Sequence, residues 1–291
     1  MYLSVIIPAY NEERRLPKTL EEIDKYLSRQ SYDYEILVVN DGSKDRTVEI
    51  AKNLAPKINP STSLRIDGER SRTINPSTSL RIDGERSRTI NPSTSLRIDG
   101  ERSRTIKNLT VTGYERNRGK GFAVRFGMLE AKGDYRLFTD ADNSTSVDQI
   151  EKMWPEFEKG SDIVIGSRDV KGAVLNPPQP WIRQIILGEG FKLYRKIIVD
   201  LWGIEDTQCG FKCFKKSAAE NIFPKCKIDR FAFDPEILII GKSSGGKIKE
   251  IPVYWKNDLE SKVKFKGIFL MALDLLKIRW NLITKKYGKT V

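Results

Sequence analysis

The chain contains no histidine among its 291 residues. That removes Ser-His-Asp and Cys-His nucleophilic chemistry and most zinc sites, leaving acids, lysines, arginines or a bound metal to do any work. Cysteine is scarce: Cys209, Cys213 and Cys226 are an odd number without C-x-x-C spacing. Neither a disulfide framework nor a zinc ribbon fits, and the three read as reduced intracellular thiols. No apolar run approaches the roughly 20 residues that span a bilayer. Asp274, Lys277 and Arg279 interrupt the best C-terminal candidate. The opening Tyr2-Leu3-Ser4-Val5-Ile6-Ile7-Pro8 reads as a core strand and lacks the charged leader and cleavage site of a signal peptide. The expectation is a cytoplasmic chain whose membrane contact is peripheral.

What is abundant is positive charge. A net +12 attracts phosphates, nucleic acid or an anionic bilayer. Nucleic acid is the weakest of the three, because the aromatics are not interleaved with basic residues in a recognisable RNA-binding motif. The 39% hydrophobic content is enough for a buried core. A 16-residue unit, INPSTSLRIDGERSRT, occurs three times unchanged between Ile58 and Thr105. Each copy adds only one net positive charge, so most of the basicity lies elsewhere. With Leu and two Ile as its only large apolar residues, a unit has little with which to build a core of its own. It reads as a surface insertion, and Asp67-Gly68 and its copies would make tight turns if the flanking residues form strands.

Outside the repeat, strand-like and helix-like segments alternate. Strands are expected at Leu3 to Pro8, Glu35 to Asn40, Leu109 to Glu115, Tyr135 to Thr139 and Asp162 to Gly166. Helical spacing falls at Thr19 to Arg29, Asp45 to Leu54, Gly121 to Ala131 and Val147 to Glu158, with Ser43 and Asp45 as candidate caps. This is the pattern of an α/β domain, a mostly parallel sheet flanked by helices, in which ligands gather at the carboxyl ends of the strands. The expected organisation is a catalytic domain over 1–57 and 106–260, the insertion over 58–105 and a C-terminal amphipathic helix over 261–291.

The polar motifs fall at those strand ends. Strand one ends in Pro8-Ala9-Tyr10-Asn11-Glu12 and strand two in Asn40-Asp41-Gly42-Ser43. An Asp there can bond a base N–H or a ribose hydroxyl, although a simple turn and cap explains the same residues. The fourth strand ends in Asp140-Ala141-Asp142, two carboxylates that repel unless a cation sits beside them. Mg²⁺ or Mn²⁺ is the natural partner, completing its shell with substrate phosphates. Asn117-Arg118-Gly119-Lys120-Gly121 is a glycine-rich helix entry with free N–H groups to offer an anion, yet it is not a Walker A loop. Further on, Arg168, Arg183 and Arg230 lie among glycines and aromatics and could supply bidentate cations to phosphates.

Taken in order, PAYNE, NDGS, GKG, DAD, GSR, DTQCGFK and RFAFDPEIL resemble the family 2 glycosyltransferases. Within that family the set is similar to the enzymes that load glucose or mannose onto dolichyl and other polyprenyl phosphates, and DTQCGFK with RFAFD is narrower and points to the glucosyl branch. The resemblance implies a Rossmann-like GT-A fold and a nucleotide-sugar pocket around Pro8, Tyr10, Glu12 and Asp41, with Lys120 beside it. It implies a metal-diphosphate site at Asp140 and Asp142, an acceptor phosphate at Arg168 and Arg183, and a donor diphosphate at Arg230. Some relatives carry a Gln two residues beyond the D-x-D, where this chain has Ser144. Many carry transmembrane helices; here Trp181 to Trp202, with the cations Arg183, Lys192, Arg195 and Lys196, and Phe265 to Lys286 would lie on an anionic membrane surface in their place, the alternative being ordinary helices packed on the sheet.

These readings together predict an inverting hexosyltransferase that takes glucose from UDP-glucose to a polyprenyl phosphate. GDP-mannose as donor, or a polysaccharide hydroxyl as acceptor, are the rival substrates. A lipid phosphate needs no base to activate it, whereas a hydroxyl would, and Asp206 is the candidate by motif position. A nucleotide-binding scaffold using the repeat as an interaction module is the non-enzymatic alternative.

Overall fold

The computed structural model describes residues 1–56, 105–177, 190–256 and 265–288. The repeat except for its final Thr105, together with Trp181 and Arg183, lies outside the described residues.

In chain order the strands are β1 (Tyr2–Ala9), β2 (Asp33–Asp41), β3 (Leu109–Tyr114), β4 (Tyr135–Thr139), β5 (Ile163–Ser167), β6 (Val174–Asn176), β7 (Phe211–Lys215), β8 (Ile248–Pro252) and β9 (Tyr254–Lys256). The helices are α1 (Leu16–Leu27), α2 (Thr47–Leu54), α3 (Lys120–Glu130), α4 (Trp154–Glu158), α5 (Gly190–Val199), α6 (Lys216–Ile222), α7 (Phe233–Ser243) and α8 (Phe265–Ile283). Seven strands form one sheet in the order β3-β2-β1-β4-β7-β5-β8, and β6 pairs with β9 in a second.

Continuous apolar runs such as Val5-Ile6-Ile7 are what a strand needs when both faces are covered. Ile6 packs with Phe138, Phe214 and Phe233 on one face, while Val5 and Ile7 pack with Leu137, Ile150 and Phe211 on the other. The neighbouring pairs are parallel except at β7, which runs antiparallel to both β4 and β5. That reversal matters for the site. Thr139 at the end of β4 pairs with Phe211 at the start of β7, so the loop before β7 lies beside the loop after β4. The carboxyl ends of β1, β2, β4 and β5 and the amino end of β7 thus share one edge.

All five expected strands form within two residues of their expected bounds, and three of four helices depart in instructive ways. α1 begins at Leu16, three residues early, with Pro17 in its first turn, where a missing N–H costs nothing. α2 begins at Thr47 and not Asp45, because Ser43 is no cap: its hydroxyl accepts from the Asn11 N–H at 3.1 Å, while Asp45 accepts from the Thr47 N–H at 3.0 Å. The helix expected over Val147 to Glu158 is broken into a 3-10 stretch, Val147–Lys152, and α4. Pro155 enforces the break, since its ring clashes with a preceding helical carbonyl and offers no N–H to it. At the C-terminal end α5 packs on α8, with the Tyr194 hydroxyl donating to the Ala272 carbonyl at 3.2 Å. Among the described residues no helix is long and apolar enough to cross a membrane.

Candidate active site

The loops after β1 and β2 interlock through their backbones. Asn11, in the left-handed region at φ 55, accepts at Oδ1 from the Lys44 N–H at 2.8 Å. The Glu12 N–H donates to Thr47 Oγ1 at 2.8 Å, and its carboxylate is gripped by Arg15 at 2.8 and 2.9 Å. Gly42 has φ +68, and a side chain there would overlap the backbone of Glu115 and Asn117, so the turn admits only glycine. Pro8 lies in β1 opposite Val39, and Tyr10 stands half exposed at the mouth.

Asp41, expected to face a nucleotide, is instead buried beneath the GKG loop. It accepts from the Arg118 N–H at 2.7 Å, the Gly119 N–H at 3.0 Å and Asn117 Nδ2 at 3.0 Å. Burial pushes its carboxyl up despite these donors. The free N–H groups expected at the start of α3 are also partly used: Gly119 serves Asp41, and the Phe122 N–H donates to the Asp229 carbonyl at 3.1 Å. What α3 presents at its first position is the Lys120 side chain.

Lys120 supplies the cation that the paired acids require. Its Nζ lies 2.5 Å from Asp140 Oδ1, with both side chains only 23% exposed. Burial alone would lower the Lys120 ammonium, but Asp140, then Asp234 and Asp142, raise it above its ordinary value. Asp142 accepts from the Ser144 N–H at 2.9 Å, and burial together with Asp140 pushes its carboxyl up. Gly210, from the loop before β7, closes the other side: a Cβ there would overlap the Asp140 carboxylate, so no larger residue fits.

This pair suits a divalent ion. Among the described residues no group of three or more acidic or cysteine side chains could hold a metal alone. Two carboxylates with the remaining positions left to a bound diphosphate are the usual provision for Mg²⁺ or Mn²⁺.

The second half of the site is built from ion pairs. Arg168, just beyond β5, grips Asp206 with two prongs at 2.7 and 2.9 Å and stacks over Trp255 at 4.8 Å. Burial would raise the Asp206 carboxyl, yet Arg168 holds it well below the usual carboxylate range. Its oxygens also receive the Arg168 and Gln208 N–H groups at 3.0 and 2.9 Å. Glu250 accepts from the Glu205 and Asp206 N–H groups at 2.8 and 2.9 Å, bracing the loop from β8. Arg230 is turned toward α8, where it meets Asp274 at 2.8 and 3.2 Å.

Other residues here escaped sequence reasoning. Lys212 is fully buried behind the site and pairs with Asp234 at 2.5 Å. Arg195 was expected among the lipid-facing cations of Trp181 to Trp202. It is 2% exposed and points inward, donating to Thr207 Oγ1 at 2.6 Å and the Ile204 carbonyl at 3.0 Å. Lys196 likewise turns to Glu205 at 3.0 Å. A fully charged side chain on an apolar helix signals either surface or partnered burial, and only the fold distinguishes them. The three cysteines are buried and free, and burial pushes the Cys209 thiol up to about 12.

A sheet of this topology with paired acids after β4 defines a nucleotide-sugar glycosyltransferase scaffold, consistent with the GT-A type. The chain belongs to glycosyl transferase family 2, whose model matches residues 4–69 and 101–223. It is 33% identical over 288 residues to a dolichyl-phosphate beta-glucosyltransferase of Trichomonas vaginalis, covering 96% of this chain and 73% of that one. It is 30% identical to the human dolichyl-phosphate beta-glucosyltransferase, covering 97% and 76%. Among solved structures, mannosyl-3-phosphoglycerate synthase from Rubrobacter xylanophilus shares the fold at TM-score 0.61 and 14% identity, covering 98% of this chain and 75% of its own. Glucosyl-3-phosphoglycerate synthase from Mycobacterium tuberculosis, solved with Mn²⁺, UDP and glucosyl-3-phosphoglycerate, does so at TM-score 0.55 and 12% identity, covering 99% and 80%.

Proposed function

We propose that the chain transfers glucose from UDP-glucose to a dolichyl or other polyprenyl phosphate, with inversion, on the cytoplasmic face of a membrane. The observation that carries this reading is the meeting, at one sheet edge, of the Asp140, Asp142 and Lys120 cluster with the Arg168–Asp206 pair. One is suited to a nucleoside diphosphate and the other to an anionic acceptor. The names of the relatives support the sugar and the lipid, and the Mycobacterium structure with Mn²⁺ and UDP supports the donor and the metal.

In this reading Pro8, Tyr10, Glu12 and Asp41 shape the nucleotide pocket, Asp41 acting through the loop it holds. Asp140 and Asp142 would hold Mg²⁺ or Mn²⁺, which when bound would supply positive charge to the departing diphosphate. Arg230 would have to leave Asp274 to reach the donor diphosphate, and Arg168 with Arg183 receives the acceptor phosphate. An acceptor oxygen attacks the anomeric carbon as the bond to the diphosphate breaks, so an α-linked donor gives a β-linked product. Asp206 orients Arg168. As a base it would be poor, since it is held ionised at very low pH and all its oxygens have donors. That favours a phosphate acceptor, which carries no proton needing removal, over a hydroxyl.

Contact with an anionic membrane surface is supported by α8. Phe269, Leu273, Leu276, Trp280 and Ile283 recur every three or four residues and are exposed, while Met271, Leu275 and Ile278 are buried on the opposite face. Lys277, Arg279, Lys285 and Lys286 are exposed around the stripe. Apolar residues rimmed by cations are what an interfacial helix presents to lipid headgroups.

The test is to incubate the purified chain with labelled UDP-glucose or GDP-mannose, Mg²⁺ or Mn²⁺ and dolichyl phosphate, and to identify the extracted lipid. A β-linked glucosyl phospholipid is expected. A mannosyl lipid would reassign the donor, a retained α-linkage would remove the inverting mechanism, and transfer only to a water-soluble acceptor would remove the lipid.

A further inference from the structure

We infer that Lys120 is an internal counter-ion that holds Asp140 until a nucleoside diphosphate draws it away, so that the chain binds a divalent metal tightly only together with that diphosphate. The inference rests on the reading of Asp140 and Asp142 as metal ligands, and adds an order of assembly to it.

The geometry makes the competition direct. Lys120 Nζ sits 2.5 Å from Asp140 Oδ1, on the carboxylate that a metal would need. Gly210 crowds the Oδ2 side of the same carboxylate, so Asp140 has little room to turn toward a second cation while keeping the first. Asp142 is less free than it looks, because one of its oxygens is committed to the Ser144 N–H at 2.9 Å. A divalent ion approaching the pair alone therefore meets an ammonium group already in place and is repelled by it.

Lys120 has somewhere to go. It is the first residue of α3 and retains a partly exposed, flexible four-carbon stem. The neighbouring acid Asp234 cannot take it over completely, since Lys212 already occupies that carboxylate at 2.5 Å. A diphosphate entering beside the α3 terminus offers anionic oxygens instead. Transfer of the ammonium from Asp140 to those oxygens frees the carboxylate at the moment a metal-chelating diphosphate arrives, and each ligand then raises the affinity for the other.

The experiment is a Mn²⁺ titration of the full chain followed by electron paramagnetic resonance, without nucleotide and with UDP or, in parallel, GDP. Wild type is expected to bind Mn²⁺ weakly alone and at least about tenfold more tightly with one of the nucleotides. Lys120→Met is expected to bind Mn²⁺ alone about tenfold more tightly than wild type and to gain less from nucleotide. Lys120→Arg, which keeps the charge, should restore the wild-type pattern, and circular dichroism checks that each variant is folded. If wild type binds Mn²⁺ with nucleotide but Lys120→Met binds the metal alone no better than wild type does, the counter-ion role is wrong and the metal site stands. If neither protein binds Mn²⁺ under any condition, the metal site itself is wrong and the inference goes with it.

Discussion

On the β1-β2-β3 side of the sheet, the candidate site residues are fixed mainly by backbone. Asp41 is held by the N–H groups of Arg118 and Gly119, Asn11 by Ser43 and Lys44, and Glu12 by Thr47. On the β5-β7-β8 side they are fixed by pairs of charged side chains far apart in sequence: Arg168 with Asp206, Arg230 with Asp274 and Lys212 with Asp234. A backbone-held loop tolerates little change of shape, because turn residues and glycines set it. A partly exposed pair such as Arg230 with Asp274 can separate and find new partners, whereas the fully buried Lys212–Asp234 pair is a fixed support. In the proposed reading the first side would be a rigid pocket for a nucleotide, and Arg168 and Arg230 on the second would be cations open to anionic substrates.

The largest expected effect falls where the two sides meet. Asp142→Ala should reduce transfer by about 10²- to 10³-fold, the scale of losing a group that stabilises leaving-group charge, with the circular dichroism spectrum unchanged. Near-wild-type turnover in this variant would sink the enzymatic reading of the paired acids. It would also revive the scaffold alternative, in which partner binding and not turnover is the function.

Next comes the buried pair behind the site. Lys212→Met leaves Asp234, 3% exposed, without its partner and should cost about 3–5 kcal/mol in urea unfolding at neutral pH. Lys212→Met combined with Asp234→Leu should recover most of that loss, because an apolar pair has no charge to desolvate. A double variant as unstable as the single one would mean that packing, and not charge pairing, sets this side of the molecule.

A smaller and pH-dependent effect is expected at Asp206. Its carboxyl is depressed in the folded chain, so it contributes stability that is complete above the ordinary aspartate value of about 4 and fades as pH falls further. Asp206→Asn lacks this contribution but can still accept hydrogen bonds, so a loss of about 1–3 kcal/mol at neutral pH is expected. The gap between the two proteins should stay constant from about pH 7 to pH 5 and narrow below about pH 4. A gap that widened in acid would show that the Arg168 pair is not its source.

The same division explains what was legible in the sequence. β1, β2 and β5 follow from apolar runs, β3 from the alternation Leu109-Thr110-Val111-Thr112 and β4 from its Leu137-Phe138 centre, and NDGS and DAD follow from polar residues placed at strand ends. These motifs are contiguous stretches at strand ends, so a local reading finds them, although the contacts that hold them, from Asn11 to Ser43 and from Asp41 to Arg118 and Gly119, span 32 to 78 residues and were as invisible as the ion pairs. Side-chain pairs 22 to 44 residues apart leave no local trace, which is why Lys212, Asp234 and Asp274 were missed as site supports. Arg195 shows the same limit in reverse: on an apolar helix it reads as a lipid-facing cation, and only the packing of the DTQCGFK loop beneath it shows otherwise. Lys120 lies between these cases. The need for a cation beside Asp140 was readable from the D-x-D, and the GKG lysine was readable as a candidate for phosphate. That one residue answers both required the fold to bring α3 against the end of β4.

The smallest effect on stability, and the sharpest on location, is expected at α8. Its buried face is mainly apolar, with Asp274 and Asn281 set into it, as a packed helix allows when such groups are paired, so that face carries no information about a membrane. The exposed stripe does, because among the described residues nothing packs over Trp280, at 60% exposure, or Phe269, at 64%. Leu273→Glu with Trp280→Glu alters only outward-facing side chains and should change unfolding stability by about 0.5 kcal/mol or less per site. The same double variant should fail to co-float with vesicles containing phosphatidylserine, to which wild type should bind in a salt-sensitive way through the surrounding lysines and arginine. Transfer to a detergent-solubilised short-chain polyprenyl phosphate should persist, since Asp274, which holds Arg230, lies on the buried face and is untouched. Equal flotation of variant and wild type would assign the stripe to something other than lipid. Loss of transfer to the solubilised acceptor as well would mean that α8 shapes the site through more than the Arg230 pair.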